Sequence, residues 1–308
     1  MSNMILEPDD IDFDRYMRDT ECEHQVKPIG NWETDLNAEF ADPVGESKMP
    51  RLPWERLRTR IELRPGEVSL WFGFNGHGKS LVLGQAVLGL ADQGARACIA
   101  SFEMRPRKTL GRMCRQFVDA YRLTPEQVAE FVTWGKGRLW VYDQTGTVEP
   151  EKVYAVIRYA ADKLRVTHFV VDNLTKMVAA DDDYAGQKAI VDKLTSLALA
   201  LNIHIHLVHH ARKDRDESRP PRKMDALGAS AITNLVDNVF VVWRNKAKAE
   251  AMQPDESKPD AIFLCDKQRH GSGWEGSINL SYHGRSQQLV EHRTYEAARF
   301  LGTDVRTN

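Results

Sequence analysis

Cysteine is scarce in this chain, with four in 308 residues, Cys22, Cys98, Cys114 and Cys265, and no two of them in a CxxC pair. That spacing excludes a disulfide framework and a cysteine-built zinc module. Long apolar runs are also missing. No stretch reaches the length of a bilayer span, and the N-terminal MSNMILEPDDIDFD has neither a basic n-region nor an apolar h-region, so the expected location is cytoplasmic, with no membrane partner. Nor is there an excess of charge of one sign. Forty-two Lys and Arg stand against 44 Asp and Glu, a formal net charge of −2, so any nucleic-acid contact has to come from a local patch. Internal repeats and low-complexity tracts are absent as well. What remains is 42% hydrophobic residues, enough for the well-buried core of one large or two ordinary domains.

The stretch Glu67 to Ser80, EVSLWFGFNGHGKS, organises the rest. A β-favouring run, Glu67 to Phe72, leads into Gly73-x-x-x-x-Gly78-Lys79-Ser80, and an apolar-periodic segment from Leu81 to Gly94 follows. A strand turning into a helix through this spacing is the context of a phosphate-binding loop. Gly73, Gly76 and Gly78 let backbone N–H groups approach phosphate oxygens, with Asn75 and His77 between them. The helix N-terminus faces the same anion, Lys79 can reach the β- and γ-phosphates, and the Ser80 hydroxyl is placed to ligate magnesium. A chain of this length meets the four fixed positions by chance roughly once in a hundred, so nucleotide binding outweighs a coincidental glycine-rich turn.

Around this loop the pattern alternates. Strands are expected at Ala95 to Phe102, Leu139 to Tyr142, His168 to Val171 and Ile203 to Val208; helices at Thr109 to Tyr121, Pro125 to Trp134 and Glu149 to Leu164, with a further helical repeat from Ile190 to Leu201. Strands separated by helices imply an α/β fold with a mainly parallel sheet covered on both faces and its ligand site at the carboxyl strand ends. Later come strands at Val239 to Trp243 and Ala261 to Leu264, a polar insertion expected to be mobile at Lys246 to Pro259, and a C-terminal hairpin around His283-Gly284-Arg285. Residues 1–49 read as an acidic arm, 50–295 as the folded domain and 296–308 as a tail. Asp9 to Thr20 fits either a short amphipathic helix that docks elsewhere or a disordered tail.

Several residues can carry chemistry at the predicted edge. Asp172, ending an apolar strand, can hold magnesium, whereas an Asp there otherwise serves as a cap. Glu103 ends the strand after the loop-bearing helix, where a carboxylate can polarise water, or stand solvated. Among His204, His206, His209 and His210, strand alternation separates 204 and 206 from 209, which disfavours a metal site; a histidine at the strand tip that senses the γ-phosphate is more economical. Arg212 and Lys213 open a charge-mixed loop that either follows strand phosphates or is merely solvated. Lys267 and Arg269 share one side of a strand, as a charge-stabilising pair or a loose surface one.

In order along the chain, GEVSLWFGFNGHGKS, ASFEM, HFVVDNL, HLVHHARK, DALGASAITNLVDNVFVVWR and DKQRHGSG resemble the superfamily 4 hexameric replicative helicases, the DnaB-type, phage T7-type and Twinkle-like motors, over roughly Leu52 to Glu291. The resemblance implies a RecA-like P-loop ATPase core using ATP or another NTP with Mg2+. It assigns Gly78, Lys79 and Ser80 to phosphates and magnesium, Glu103 to the catalytic base, Asp172 to the Walker-B carboxylate and His210 to the γ-phosphate sensor. Arg212 and Lys213 match a DNA-contacting loop, Arg269 an arginine finger and Lys267 its companion on a neighbour's nucleotide, and Arg244 with Tyr282 a pair that sandwiches the base. A head-to-tail homo-hexamer on single-stranded or forked DNA follows, moving 5′ to 3′, with a separate primase, polymerase or loader as candidate partners and the 9–20 segment as a helix exchanged between subunits. No room is seen for a primase or an N-terminal helical domain, which fits a stand-alone helicase of a phage or mobile element in a phage-infected or plasmid-bearing cell. A RecA/Rad51-like recombination ATPase and a nucleotide-switched adaptor are the competing expectations.

Overall fold

The structure, a computed structural model, describes residues 5–6, 12–17, 49–180, 182–212, 216–226, 229–271, 273–292, 297–298 and 300. In chain order the elements are β1 (Ile5–Leu6), α1 (Phe13–Met17), α2 (Glu55–Arg58), β2 (Val68–Gly73), α3 (Lys79–Asp92), β3 (Ala97–Ser101), α4 (Pro106–Val118), α5 (Pro125–Gly135) and β4 (Leu139–Tyr142). They continue with α6 (Pro150–Leu164), β5 (His168–Asp172), α7 (Tyr184–Leu201), β6 (His204–His210), α8 (Ala229–Thr233), β7 (Asn238–Arg244), α9 (Lys246–Glu250), β8 (Ala261–Gln268), β9 (Gly276–His283) and β10 (Gln288–Val290). The strands form one mixed sheet in the order β1-β4-β3-β5-β6-β2-β7-β8-β9-β10. From β1 to β7 every pairing is parallel, and β8, β9 and β10 add antiparallel strands, the last two being the expected hairpin.

Alternation along β2 decides which core each side chain enters. Val68, Leu70 and Phe72 join the core under α6 and α7, while Trp71 points to the other face among residues of α3, α4 and α5. Both faces are therefore covered, as a parallel sheet requires. α3 is buried almost all round because it lies between the sheet and α4. Helix starts follow their local chemistry: Pro106, Pro125 and Pro150 occupy the first helical turn, and Thr124 and Gln127 form a reciprocal capping box at α5.

Three expectations change. The Lys246 to Pro259 stretch is not merely a polar insertion: it contains α9, capped by the Asn245 side chain on the Lys248 N–H, and Lys248 is buried with its ammonium 2.8 Å from Asp260. The stretch after β6 is not wholly exposed either. Ala211 and Pro221 are buried, Ala211 bridges Ala226, and Arg222 pairs with the buried Asp266 at 2.7 Å. In the acidic arm, β1 extends the sheet beside β4. The Tyr16 hydroxyl donates to Asp162 at 2.7 Å, so α1 docks on the chain's own α6. Most of residues 1–49, with Cys22, and Lys213 lie outside the described residues. Among the described residues no helix is long and apolar enough to cross a membrane.

Candidate nucleotide site at the carboxyl strand edge

β2, β3, β5 and β6 are parallel, so the residues ending them emerge at one edge: the phosphate loop after Gly73, Glu103 beyond β3, Asp172 on β5 and His210 on β6. Gly73 cannot carry a side chain, because a Cβ there would lie 2.2 Å from the Val242 carbonyl oxygen on β7. Gly78 enters α3 at φ 86°, the left-handed conformation that turns the loop N–H groups inward.

Lys79 lies along the inside of the loop, donating to the carbonyls of Gly73 and Phe74 at 2.9 Å each. Burial lowers its pKa to about 8, against the opposing pull of Asp172 and Glu103. The Ser80 hydroxyl donates to Asp172 Oδ2 at 2.7 Å. Burial pushes the Asp172 carboxyl up from its ordinary range, and its Oδ1 is buried without a hydrogen-bond partner among the described residues. An orphaned carboxylate oxygen beside a hydroxyl is a set of hard oxygen donors, and the two residues fit a magnesium ion.

Asn173, to which no role falls in the sequence, connects the remaining groups. Thr175 donates to its Oδ1 at 2.6 Å, which turns Nδ2 toward Glu103 Oε1 and His210 Nε2, both at 2.7 Å. His210 Nε2 is therefore an acceptor, and its proton sits on Nδ1, which is buried without a hydrogen-bond partner among the described residues. Glu103 is held below the usual carboxylate range, first by the neighbouring His210 side chain and also by the Asn173 amide that donates to its Oε1. A carboxylate kept ionised beside a phosphate cradle can accept a proton from water.

Lys79, Ser80, Glu103, Asp172 and His210 line one cleft of about 330 Å³, with Asn75 at its rim. Two further residues of this cleft, Arg112 and Gln287, escape sequence reasoning because α4 and the β9–β10 turn reach it only through the fold. A second cleft of about 320 Å³ adjoins it and contains His77, Arg244 and Tyr282, the proposed base-binding pair included.

Arg269 and Lys267 do not join this site. β8 runs antiparallel, so Gln268 lies opposite Asn238 at the start of β7, the edge away from the phosphate loop. There Arg269 pairs with Asp237 at 2.9 Å, and Lys267 donates to the carbonyls of Thr233 and Val236 at 2.7 and 2.6 Å. They do share one side of the strand, both meeting the turn after α8, and Arg269 borders a cleft of about 720 Å³. His168, His204 and His206 form a buried row across β5 and β6, and no cluster fit for a metal occurs among the described residues. Arg212 is half-buried at the start of the loop after β6.

Comparison with solved structures finds the same architecture. A chain described as an ATPase domain superposes with a TM-score of 0.72 at 14% identity, covering 87% of this chain and all of that one. A DnaB-like replicative helicase, solved in a study of its interactions with primase, superposes at 0.68 and 13% identity, covering 86% of this chain and 67% of that one. At these identities the likeness is one of fold, the RecA-like α/β fold expected from the motif order. Residues 41–216, more than half of the sequence and including the phosphate loop, Glu103, Asp172 and His210, match the family described as AAA domain, and the chain belongs to that family.

Proposed function

We propose that this protein is an ATP-dependent replicative DNA helicase, a ring-forming motor that translocates 5′ to 3′ on single-stranded DNA and separates the duplex ahead. The observation that carries this reading is the division of its groups between two edges. Cradle, carboxylates and sensor stand at the carboxyl edge, while Arg269 and Lys267 stand at the other. A cation there can act only on the nucleotide of a second copy, which fits a head-to-tail ring, taken to be a hexamer.

In this mechanism the phosphate loop and Lys79 bind the β- and γ-phosphates, and Arg244 and Tyr282 sandwich the base. Ser80 and Asp172 would hold magnesium, which when bound supplies neutralisation of phosphate charge. Glu103, aligned by Asn173, orients water and takes its proton. Arg269 from the neighbouring subunit stabilises charge in the transition state, with Lys267 beside it. His210 senses the γ-phosphate one residue before Ala211, so hydrolysis is felt where Arg212 and Lys213 begin the strand-binding segment. Residues 1–49 supply ring contacts, and primase, polymerase or loader act as separate partners.

The test is strand separation on a fork with a free 5′ single-stranded tail, with ATP and magnesium, comparing wild type with Glu103→Gln. Displacement on the 5′-tailed fork, absent on a 3′-tailed one and lost in the variant, is expected. Strand binding and ATP hydrolysis without displacement would favour a recombination-type or adaptor role instead.

A further inference from the structure

His77, at the tip of the phosphate loop, turns away from the cleft that holds Lys79 and Asp172 and is buried, 2% exposed. The Arg244 backbone N–H donates to its Nδ1 at 3.1 Å, so Nδ1 carries no proton and the ring is neutral with its proton on Nε2. That proton faces Glu217 Oε2 at 3.2 Å. Glu217 belongs to the segment after β6, the same segment that begins with Arg212. It is held twice more: Lys246 donates to the same carboxylate oxygen at 2.8 Å, and the Trp243 indole donates to its backbone carbonyl at 2.8 Å.

The connection therefore runs from the segment after β6, through one carboxylate and one imidazole, to the tip of the phosphate loop between Gly76 and Gly78. It also reaches the end of β7, where Arg244 borders the base cleft. It is separate from the route through His210 and Asn173. Glu217 is exposed on the surface yet fixed at both its carboxylate and its backbone, and the two glycines flanking His77 give the loop tip little stiffness of its own. Displacing Glu217 removes the acceptor for the His77 proton, and the loop tip loses one of the two ties on its imidazole.

We propose that Glu217 is a positioning residue through which a nucleic-acid strand on the segment after β6 changes the affinity of the phosphate loop for nucleotide, with His77 as the connecting side chain. This rests on the strand-binding reading of that segment. By linkage, nucleotide changes strand affinity by the same factor.

The experiment measures binding of a fluorescent ADP analogue to the full chain, with and without a single-stranded oligodeoxythymidylate, after strand binding has been established separately by anisotropy. Wild type is expected to show a shift of about fivefold or more on adding the strand. In Glu217→Ala both ligands still bind but the shift falls below about twofold. Glu217→Gln, which keeps an acceptor for the His77 proton, retains most of it. Lys246→Ala loosens the same carboxylate without touching the loop and is expected to reduce the shift, so the inference stays testable if Glu217→Ala folds poorly. An undiminished shift in Glu217→Ala, or no shift in a wild-type chain that binds both ligands, overturns the inference. A wild-type chain that binds nucleotide but no strand overturns the strand-binding reading itself, and the inference with it.

Discussion

With its ammonium buried and its pKa lowered to about 8, Lys79 must be protonated to meet a phosphate. The bound anion raises that pKa again, so binding above pH 8 takes up a proton. Nucleotide affinity is expected to be flat below pH 8 and to fall by up to about tenfold per pH unit above it. Equilibrium titrations between pH 7 and 9.5 check this; a flat profile across that range would contradict the lowered pKa of Lys79. Glu103→Gln keeps the shape of the site and removes the proposed base, so hydrolysis should drop about 10²- to 10⁴-fold with nucleotide affinity nearly unchanged. Asn173→Ala discriminates further. Asn173 touches Glu103 and His210 but is absent from the cleft lining, so its loss should lower kcat about 10- to 100-fold by misplacing the base while leaving KM within a few fold. A change confined to KM would show that Asn173 does not align Glu103.

Strand β6 joins two chemistries. Its carboxyl end delivers His210 to the nucleotide cleft, while its buried first half carries a row of neutral imidazoles whose tautomers are fixed by their neighbours. The Trp71 indole donates to His206 Nδ1 at 3.2 Å, so His206 carries its proton on Nε2 and donates to His168 Nδ1 at 3.1 Å. His204 donates from Nδ1 to the Arg64 carbonyl, and its Nε2 accepts from Ser69, whose oxygen accepts from Asn238. An added proton on His206 would face the Trp71 N–H, and one on His204 would face the Ser69 hydroxyl. Burial accordingly depresses these groups, His168 to about 3 and His204 to about 4. Unfolded histidines titrate near 6.5, so below that pH the unfolded chain binds more protons than the folded one. Stability is therefore full above pH 6.5 and is lost as pH falls from there toward 4, by about 1.4 kcal/mol per pH unit for each such histidine. Denaturant midpoints at pH 7, 6 and 5 should fall steeply, and less steeply in His168→Phe; equal slopes would contradict the assignment of neutral rings. On β2, Gly73→Ala would force a methyl against the Val242 carbonyl and push β2 and β7 apart, an overpacking cost of about 1–3 kcal/mol visible as a lower midpoint.

For the molecule as a whole, what could be read from the sequence divides along the range of the interactions. Glu103, Asp172 and His210 were legible because each ends a predicted parallel strand, and parallel strands bring their carboxyl ends together. The phosphate loop was legible because its chemistry lies in eight consecutive residues. Asn173 was not, although it stands directly after Asp172, since its function lies in a side-chain network joining three strand ends. Arg112, Gln287 and the His77–Glu217 contact likewise depend on which distant segments the fold superposes. The pairing of Arg269 with Asp237 could not be read either, because it depends on β8 running antiparallel beside β7. That antiparallel course leaves the chain with a phosphate cradle at one edge and Arg269 and Lys267 at the other, so the proposed role of Arg269 on a nucleotide calls for a second copy. Mixing two inactive variants tests this most directly. Lys79→Ala lacks a working cradle but keeps Arg269, and Arg269→Ala keeps the cradle. With single-stranded DNA present, each alone should hydrolyse ATP at no more than about a hundredth of the wild-type rate. Their mixture should recover a substantial part of it at interfaces where the first variant supplies its arginine to the second. Hydrolysis in the mixture no greater than the sum of the two alone, under conditions where the variants co-assemble, would contradict a nucleotide site completed by a neighbouring copy.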